Sequence, residues 1–248
     1  MFRRTRKRLS ALFGAESGPD ALAALREDDA ALIRRIRAEN LTYLSEEKLA
    51  SLANCCRELE TAGLDGAILE AGCALGGSSI LLATLKSNER LLSIYDVFGM
   101  IPPPSQEDSE DVHARYRTIV EGKSEGLGDD TYYGYQENLY DVVAGNFERF
   151  GINREKHSVS LVKGLVQDTL HPEGPIALAH IDVDWYEPVM VCLQRIFPRL
   201  VPGGSIVIDD YHDWGGCRKA TDEYLRDVVG QFRLDDSAGS LKLSRVPN

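Results

Sequence analysis

Two pairs of acidic residues each follow directly on an apolar run, and they are the first candidates for chemistry in this sequence. Asp182 and Asp184 form one pair, and Asp209 and Asp210 form the other. Strand alternation puts Asp182 and Asp184 on one face, and the carboxyl ends of neighbouring parallel strands meet at one edge of a sheet. Converging carboxylates are costly unless a cation neutralises them, and hard oxygen ligands suit Mg²⁺. The spacing therefore predicts a Mg²⁺ site, unless these acids merely cap helices and turns.

A glycine-rich turn at residues 70–79 is the second candidate site. Glycines such as Gly72 let a ligand approach the backbone, and Ser78 stands where a helix can begin, with amides that attract a carboxylate. The turn is similar to a dinucleotide-binding fingerprint, except that Ala74 replaces the middle glycine. Asp96 lies 24 residues beyond Gly72, where an acidic residue commonly holds the ribose of S-adenosylmethionine (SAM) or NAD. A tight turn without a ligand would explain the same glycines.

Histidine and tyrosine residues supply weaker candidates. His212 lies in a predicted site loop, where it is a candidate base or donor to a substrate, whereas His180 is explained equally well by packing within a strand. Tyr132, Tyr133 and Tyr135 suit a lid or a surface that stacks on a sugar, and they suit the buried start of a helix as well.

The elements that position these residues alternate along the chain from position 67 onwards. The predicted strands are Ala67–Leu69, Leu91–Tyr95, Val159–Val162, Ile176–Ile181 and Ser205–Ile208, with edge strands at Phe232–Leu234 and Leu241–Leu243. The predicted helices are 77–86, 134–150, 186–199 and 217–229. Such alternation predicts an α/β fold with a mostly parallel sheet covered on both faces.

Two segments fall outside this alternation. Residues 20–62 are predicted to form two helices, the second of which is capped by Ser45 and ended by Gly63. Residues 97–133 combine three consecutive prolines with many charges, and a loop of this length is usually a lid, a binding segment or disordered. The predicted organisation is a basic flexible N-terminus at 1–19, a helical segment at 20–62, and a Rossmann-like domain at 63–248 with a lid insertion at about 97–133.

Composition excludes several classes of partner. The 248 residues suit one α/β domain, and a formal net charge of −11 argues against nucleic acid. The basic cluster near the start suits anionic lipid or an acidic partner, or it is a solvated terminus; its members are Arg3, Arg4, Arg6, Lys7 and Arg8. No apolar run is long enough for stable membrane insertion or for a secretory signal, which predicts a cytoplasmic protein.

Taken together, these motifs resemble the macrocin O-methyltransferase family, over roughly residues 65–230. The resemblance rests on 70–79, 96–102, Tyr132-Tyr133-Gly134, 163–170, 182–187, and Pro202-Gly203-Gly204 leading into 208–211. The family includes sugar O-methyltransferases of macrolide and aminocoumarin antibiotic assembly. The resemblance implies a class I methyltransferase with a seven-stranded Rossmann-like sheet that uses SAM and Mg²⁺.

Residue roles follow from the resemblance position by position. It implies that Asp182, Asp209 and Asp210 bind the metal and that Asp184 is the general base. His212 stays a second catalytic candidate because of its place in the predicted site loop. The expected cofactor contacts are Glu70, Gly72, Ser78, Asp96, Asp168 and Asp182. Two positions depart from the family pattern: Val97 replaces a serine and Gly99 replaces a glutamate, so cofactor contacts there are expected to differ.

The expected activity is therefore SAM- and Mg²⁺-dependent methylation of a sugar hydroxyl on a glycosylated natural product, an oligosaccharide or a polysaccharide. The resemblance also makes a homodimer the expected assembly. A catechol-type phenol remains open as the acceptor, because vicinal diols of both kinds chelate Mg²⁺. The fold by itself also allows an NAD-dependent dehydrogenase or a non-catalytic scaffold, although Ala74 and the acidic pairs argue against the dehydrogenase.

Overall fold

The computed structural model describes residues 21–246, which include one seven-stranded sheet in the order β3-β2-β1-β4-β5-β7-β6. The strands are β1 Ala67–Ala71, β2 Leu92–Asp96, β3 Val159–Lys163, β4 Ile176–Ile181, β5 Leu200–Ile208, β6 Phe232–Asp235 and β7 Leu241–Arg245. Strands β1 to β5 pair in parallel, and β7 and β6 add an antiparallel edge. The order reverses between β1 and β4, which is where ligands bind in open sheets of this type.

Helices cover both faces of the sheet, as the alternating pattern predicts. They are α1 Glu27–Ala38, α2 Glu46–Thr61, α3 Gly77–Leu85, α4 Glu110–Val120, α5 Leu139–Arg149, α6 Val166–Thr169, α7 Tyr186–Ile196 and α8 Gly215–Asp227. Side chains of consecutive strand residues point to opposite faces, so Ile68 packs in one apolar core and Leu69 in the other. Helices α1, α2, α3 and α5 build the first core, and α7 and α8 build the second. The predicted fold class is confirmed.

Some predicted boundaries were wrong. Helix α1 begins at Glu27 rather than at 20, and three acidic residues fill its first turn, where the helix dipole favours negative charge. Helix α5 begins at Leu139 rather than at 134, because Tyr133–Tyr135 forms a separate 3₁₀ turn. The predicted basic N-terminus, 1–19, lies outside the described residues.

The N-terminal helices pack against the sheet and bring α2 to its carboxyl edge. Ser45 caps α2 as predicted, because its side chain accepts a hydrogen bond from the Lys48 amide at 3.2 Å. Gly63 follows the helix in a left-handed conformation, with φ 61°. The capped first turn of α2 carries the Lys48 side chain to the carboxyl end of β5, where its ammonium is 3.0 Å from an Asp209 carboxylate oxygen.

The lid segment, defined as residues 97–133, is more ordered than the sequence indicates. It contains α4, which the prolines and charges around it obscured. Hydrogen bonds tie it to the core: the Trp185 indole donates to the Pro102 carbonyl at 2.9 Å, and the Asp108 carboxylate accepts from the Tyr186 amide at 2.7 Å. The lid segment is therefore docked over the carboxyl edge of the sheet.

The helices described between residues 21 and 246 include none with the length and hydropathy of a membrane span.

Candidate active site

A cavity of about 500 Å³ opens at the carboxyl ends of the parallel strands, beside the β1–β4 switch point. Its walls come from the glycine-rich turn after β1, the ends of β2, β4 and β5, the lid segment, and α2. Neighbouring ends bring together residues that are far apart in sequence, such as Gly72, Asp96, Asp184 and Asp210. The cavity therefore joins the two candidate sites identified in the sequence.

Three carboxylates form a tight cluster at one end of the cavity. Asp182, Asp209 and Asp210 each offer an oxygen, and these oxygens lie within 4.8 Å of one another. The cluster forms because β4 and β5 are neighbours with Ile181 opposite Ile208, so the residues that follow lie side by side. Burial, reinforced by the neighbouring carboxylates, raises the pKa of Asp182 and of Asp210 well above the usual range. The donor set suits a hard divalent cation, which would neutralise this repulsion.

Asp184 lies at the same end of the cavity, but a turn places it there and not the strand alternation that the sequence predicted. Strand β4 ends at Ile181, and Asp184 adopts a left-handed backbone conformation with φ 55°. Its amide donates to an Asp210 carboxylate oxygen at 3.1 Å, which holds the turn in place. Burial raises the pKa of Asp184 to about 6, assisted by Asp209 and opposed by Arg115. A carboxylate with this pKa suits a general base near neutral pH.

The glycine-rich turn packs in direct contact with the backbone that follows β4. A Cβ on Gly72 would lie 1.8 Å from the carbonyl oxygen of Asp182, the residue that follows β4. The ends of β1 and β4 can therefore pack this closely only because residue 72 lacks a side chain. Gly72 has φ 82°, and Ala74 also adopts a positive φ, of 45°. The departure from the fingerprint at Ala74 therefore carries backbone strain that a glycine would avoid.

Asp96 lies on the cavity wall after β2, as predicted, and holds the turn in shape. Its two carboxylate oxygens accept hydrogen bonds from the Cys73 amide at 2.8 Å and the Phe98 amide at 2.6 Å. Burial raises its pKa, although these amide bonds lower it. Asp96 lines the cavity at the position where an acidic residue commonly accepts hydrogen bonds from ribose hydroxyls.

Four predicted site residues do not line the cavity. Glu70 is fully buried beneath the turn, where it accepts hydrogen bonds from the Ser79 hydroxyl and pairs with His180 Nδ1 at 2.9 Å. Ser78 is buried inside the first turn of α3. Asp168 is exposed on α6, and residues 165–167 line the cavity in its place. His212 is also exposed, with Nε2 3.9 Å from Asp236.

Other cavity residues were missed from the sequence. Lys48 from α2 and Arg115 from α4 bring positive charge to an otherwise acidic cavity, and Tyr43 adds an aromatic ring. That ring meets Tyr133 edge-on at 5.7 Å, and Tyr133 lies 4.6 Å from Tyr132 between ring centroids. Two of the three candidate tyrosines, Tyr132 and Tyr133, thus line the cavity. The third, Tyr135, lies just after the lid segment and is bonded to it, because its hydroxyl donates to the carbonyl of Ile119 at 2.7 Å.

Replacing Gly72 by alanine is expected to abolish SAM binding and to destabilise the fold, because the new methyl group must displace the Asp182 backbone and the positive φ becomes strained. Calorimetric titration and thermal melting measure both effects. The matched control is Gly145→Ala within α5, where the methyl group meets nothing within 4 Å. The control is expected to gain about 0.5–1 kcal/mol of stability and to keep SAM binding. A Gly72→Ala protein that binds SAM normally would contradict this account of the turn.

Comparison with known sequences identifies the family. The profile of the family described as Macrocin-O-methyltransferase (TylF) matches residues 36–230. The 8-demethyl-8-(2,3-dimethoxy-alpha-L-rhamnosyl)-tetracenomycin-C 4'-O-methyltransferase of Streptomyces olivaceus is 31% identical over 201 residues, which cover 79% of this chain and 70% of that protein. The mycinamicin III 3''-O-methyltransferase of Micromonospora griseorubida is 27% identical over 190 residues, which cover 74% of this chain and 69% of that protein.

Comparison with solved structures identifies the fold independently. The O-methyltransferase NovP superposes with a TM-score of 0.70 at 21% identity, over 84% of this chain and 83% of that chain. The calicheamicin methyltransferase CalS11 superposes with a TM-score of 0.54 at 20% identity, over 94% of this chain and 99% of that chain. The sheet order, the family profile and these neighbours agree, and the chain belongs to the macrocin O-methyltransferase family of SAM-dependent O-methyltransferases.

Proposed function

We propose that this enzyme methylates a sugar hydroxyl of a glycosylated small molecule with the help of Mg²⁺. One observation carries the proposal: the three-carboxylate cluster and Asp184 share a cavity with the glycine-rich turn. A methyl acceptor held near the cluster would therefore lie beside the donor held by the turn. Methyl transfer needs this juxtaposition above all, since sulfonium is already a reactive methyl donor and positioning supplies much of the acceleration.

The residues at the cluster fit a magnesium ion. Asp182, Asp209 and Asp210 would hold it through oxygen atoms, and the remaining positions are left for water and substrate, as Mg²⁺ prefers. When bound, the cation supplies Lewis acidity that lowers the pKa of a neighbouring hydroxyl, and it provides a template for two adjacent oxygens.

Asp184 is the proposed general base. The reaction forms a bond between the acceptor oxygen and the methyl carbon, breaks the bond between that carbon and sulfur, and leaves the hydroxyl proton on the Asp184 carboxylate. Asp184 is preferred to His212 because it lines the cavity, whereas His212 is exposed outside the lining. Gly72 and Asp96 are proposed to contact SAM, and the docked lid segment is proposed to exclude water during the transfer.

The names of the relatives support a sugar acceptor. The enzyme from Streptomyces olivaceus is named for a rhamnosyl-tetracenomycin, and the enzyme from Micromonospora griseorubida for mycinamicin III. Tyr43, Tyr132 and Arg115 give the cavity aromatic rings and a hydrogen-bond donor that suit a glycoside.

Magnesium is expected to raise the melting temperature near pH 8 and to have little effect near pH 5, because metal binding needs ionised carboxylates and burial raises the pKa of the proposed ligands Asp182 and Asp210. A separate effect is expected without the metal, because burial raises the pKa of Asp184, which is not a proposed ligand, from 3.8 to about 6. Between these values the folded chain binds more protons than the unfolded chain, so the stability of the metal-free protein falls as pH rises through this interval. Thermal melts between pH 4 and pH 8, with Mg²⁺ for the first effect and with EDTA for the second, measure both. Equal magnesium stabilisation at both pH values would contradict the assignment of Asp182, Asp209 and Asp210 as metal ligands.

Calorimetric titration with SAM, with its demethylated product and with NADH tests the cofactor part of the proposal. Saturable binding of SAM or its product, without binding of NADH, is expected. Binding of NADH alone would favour a dehydrogenase, and binding of neither nucleoside would favour a scaffold that keeps only the fold.

A further inference from the structure

Lys48 reaches the acidic cluster from the N-terminal helices. Its Nζ lies 3.0 Å from Asp209 Oδ2, 3.2 Å from the Asp209 carbonyl oxygen and 2.9 Å from Asp213 Oδ2. An ammonium group has three protons, so these three acceptors use its full donor capacity. The side chain is only 14% exposed, which makes the contact part of the buried wall of the cavity rather than a surface ion pair.

Asp209 is held from the opposite side as well. The Ser240 hydroxyl, itself buried, donates to Asp209 Oδ1 at 2.9 Å. The two oxygens of Asp209 therefore have one partner each, one on α2 and the other just before β7. An ionised carboxylate offers about four acceptor sites, so each oxygen can still bind a cation.

Lys48 forms an ion pair with one member of the three-carboxylate cluster, Asp209. Its ion pairs within the described part of the chain are with Asp209 and Asp213, and it makes none with Asp182 or Asp210. Its ammonium therefore lies closer to Asp209 and Asp213 than to the carboxylates of Asp182 and Asp210. The carboxylates of Asp209 and Asp213 offset the positive charge of Lys48, which reduces the repulsion between Lys48 and a divalent cation at the cluster.

We propose that Lys48 is a positioning residue that holds Asp209 in the orientation needed to bind the metal. The inference rests on the proposed function, because it assumes that Asp209 is a metal ligand. Groups that orient a ligand from outside commonly change metal affinity by about 10–100-fold. The helical segment at 20–62 is thereby part of the metal site, since α2 supplies one of the two contacts that orient Asp209.

Manganese titration of the purified full-length protein tests this inference without an acceptor or SAM. Lys48→Met is expected to weaken Mn²⁺ binding by about 10–100-fold, and Lys48→Arg to recover most of the loss. The Ser240 hydroxyl bonds the same carboxylate from the other side, so Ser240→Ala is expected to weaken Mn²⁺ binding too. It keeps the test decisive if Lys48→Met fails to fold. The matched control is Lys242→Met, which removes an ion pair between β7 and Glu58 of α2, 3.3 Å long, without touching the cluster.

The control should lose some thermal stability but bind Mn²⁺ like the wild type. Unchanged Mn²⁺ affinity in Lys48→Met and Ser240→Ala would overturn the positioning role while leaving the proposed function intact. An equal loss in Lys242→Met would also overturn it, since the effect would then come from general loosening of α2. Absence of Mn²⁺ binding by the wild type would instead refute the metal in the proposed function, and this inference with it.

Discussion

Asp184→Asn is expected to lower kcat by about 10²–10⁴-fold, the usual contribution of a general base. Asparagine preserves the size of the side chain but cannot accept the hydroxyl proton. The Asp184 backbone amide still donates to Asp210, so the metal cluster should keep its geometry. Binding of SAM and of Mn²⁺ is therefore expected to remain close to that of the wild type, and the loss should appear in single-turnover rates at saturating ligands.

His212→Gln is the comparison that separates the two candidate bases. His212 is exposed and lies outside the lining of the cavity, so its replacement is expected to leave turnover nearly unchanged. Full turnover in Asp184→Asn, with a loss in His212→Gln, would reverse the assignment. Loss of Mn²⁺ binding in Asp184→Asn would show that Asp184 belongs to the metal site rather than acting as the base.

Asp182→Asn is expected to remove metal binding and activity together, while making the metal-free protein more stable. Loss of the cation removes several kcal/mol of stabilisation of the transition state, or about 10²–10⁴-fold in rate. The gain in stability arises because burial and nearby carboxylates raise the pKa of Asp182, so its ionised form opposes folding near neutral pH. Asparagine removes that charge at nearly the same volume.

Melting temperatures in EDTA and Mn²⁺ titrations check the two halves of this result. Asp168→Asn is the control, because this carboxylate is exposed on α6 outside the cavity lining and should change neither quantity. An Asp182→Asn protein that binds Mn²⁺ normally would refute its role as a ligand. A protein that loses metal binding and also melts at a lower temperature in EDTA would refute the repulsion within the cluster.

Sequence patterns predicted the acidic cluster because its geometry follows from local rules. Each aspartate stands directly after an apolar run, and parallel strands bring such ends to one edge of the sheet. The pairing of β4 with β5 then places Asp182 beside Asp209 and Asp210. The glycine-rich turn was predictable for the same reason, since Gly72 follows β1 at that edge.

The remaining site residues depend on contacts that no local pattern reveals. Lys48 stands 161 positions before Asp209 and looks like an ordinary solvated helix charge until α2 is docked. Arg115 lies in a segment whose prolines and charges concealed α4. Glu70 follows the apolar run as expected, but strand alternation turns its side chain inward to His180, away from the cavity. Asp184 reaches the cavity through a strained turn that an alternating pattern cannot predict.

Transfer of an isotopically labelled methyl group from SAM tests the central claim most directly. The wild-type enzyme would be incubated with a panel of rhamnosylated and otherwise glycosylated polyketides and macrolides, alongside catechol, with Mg²⁺ or with EDTA. Our account predicts that the label appears on a sugar hydroxyl of at least one glycoside, and that EDTA abolishes the transfer. Labelling of catechol without any glycoside, or transfer that persists undiminished in EDTA, would contradict it.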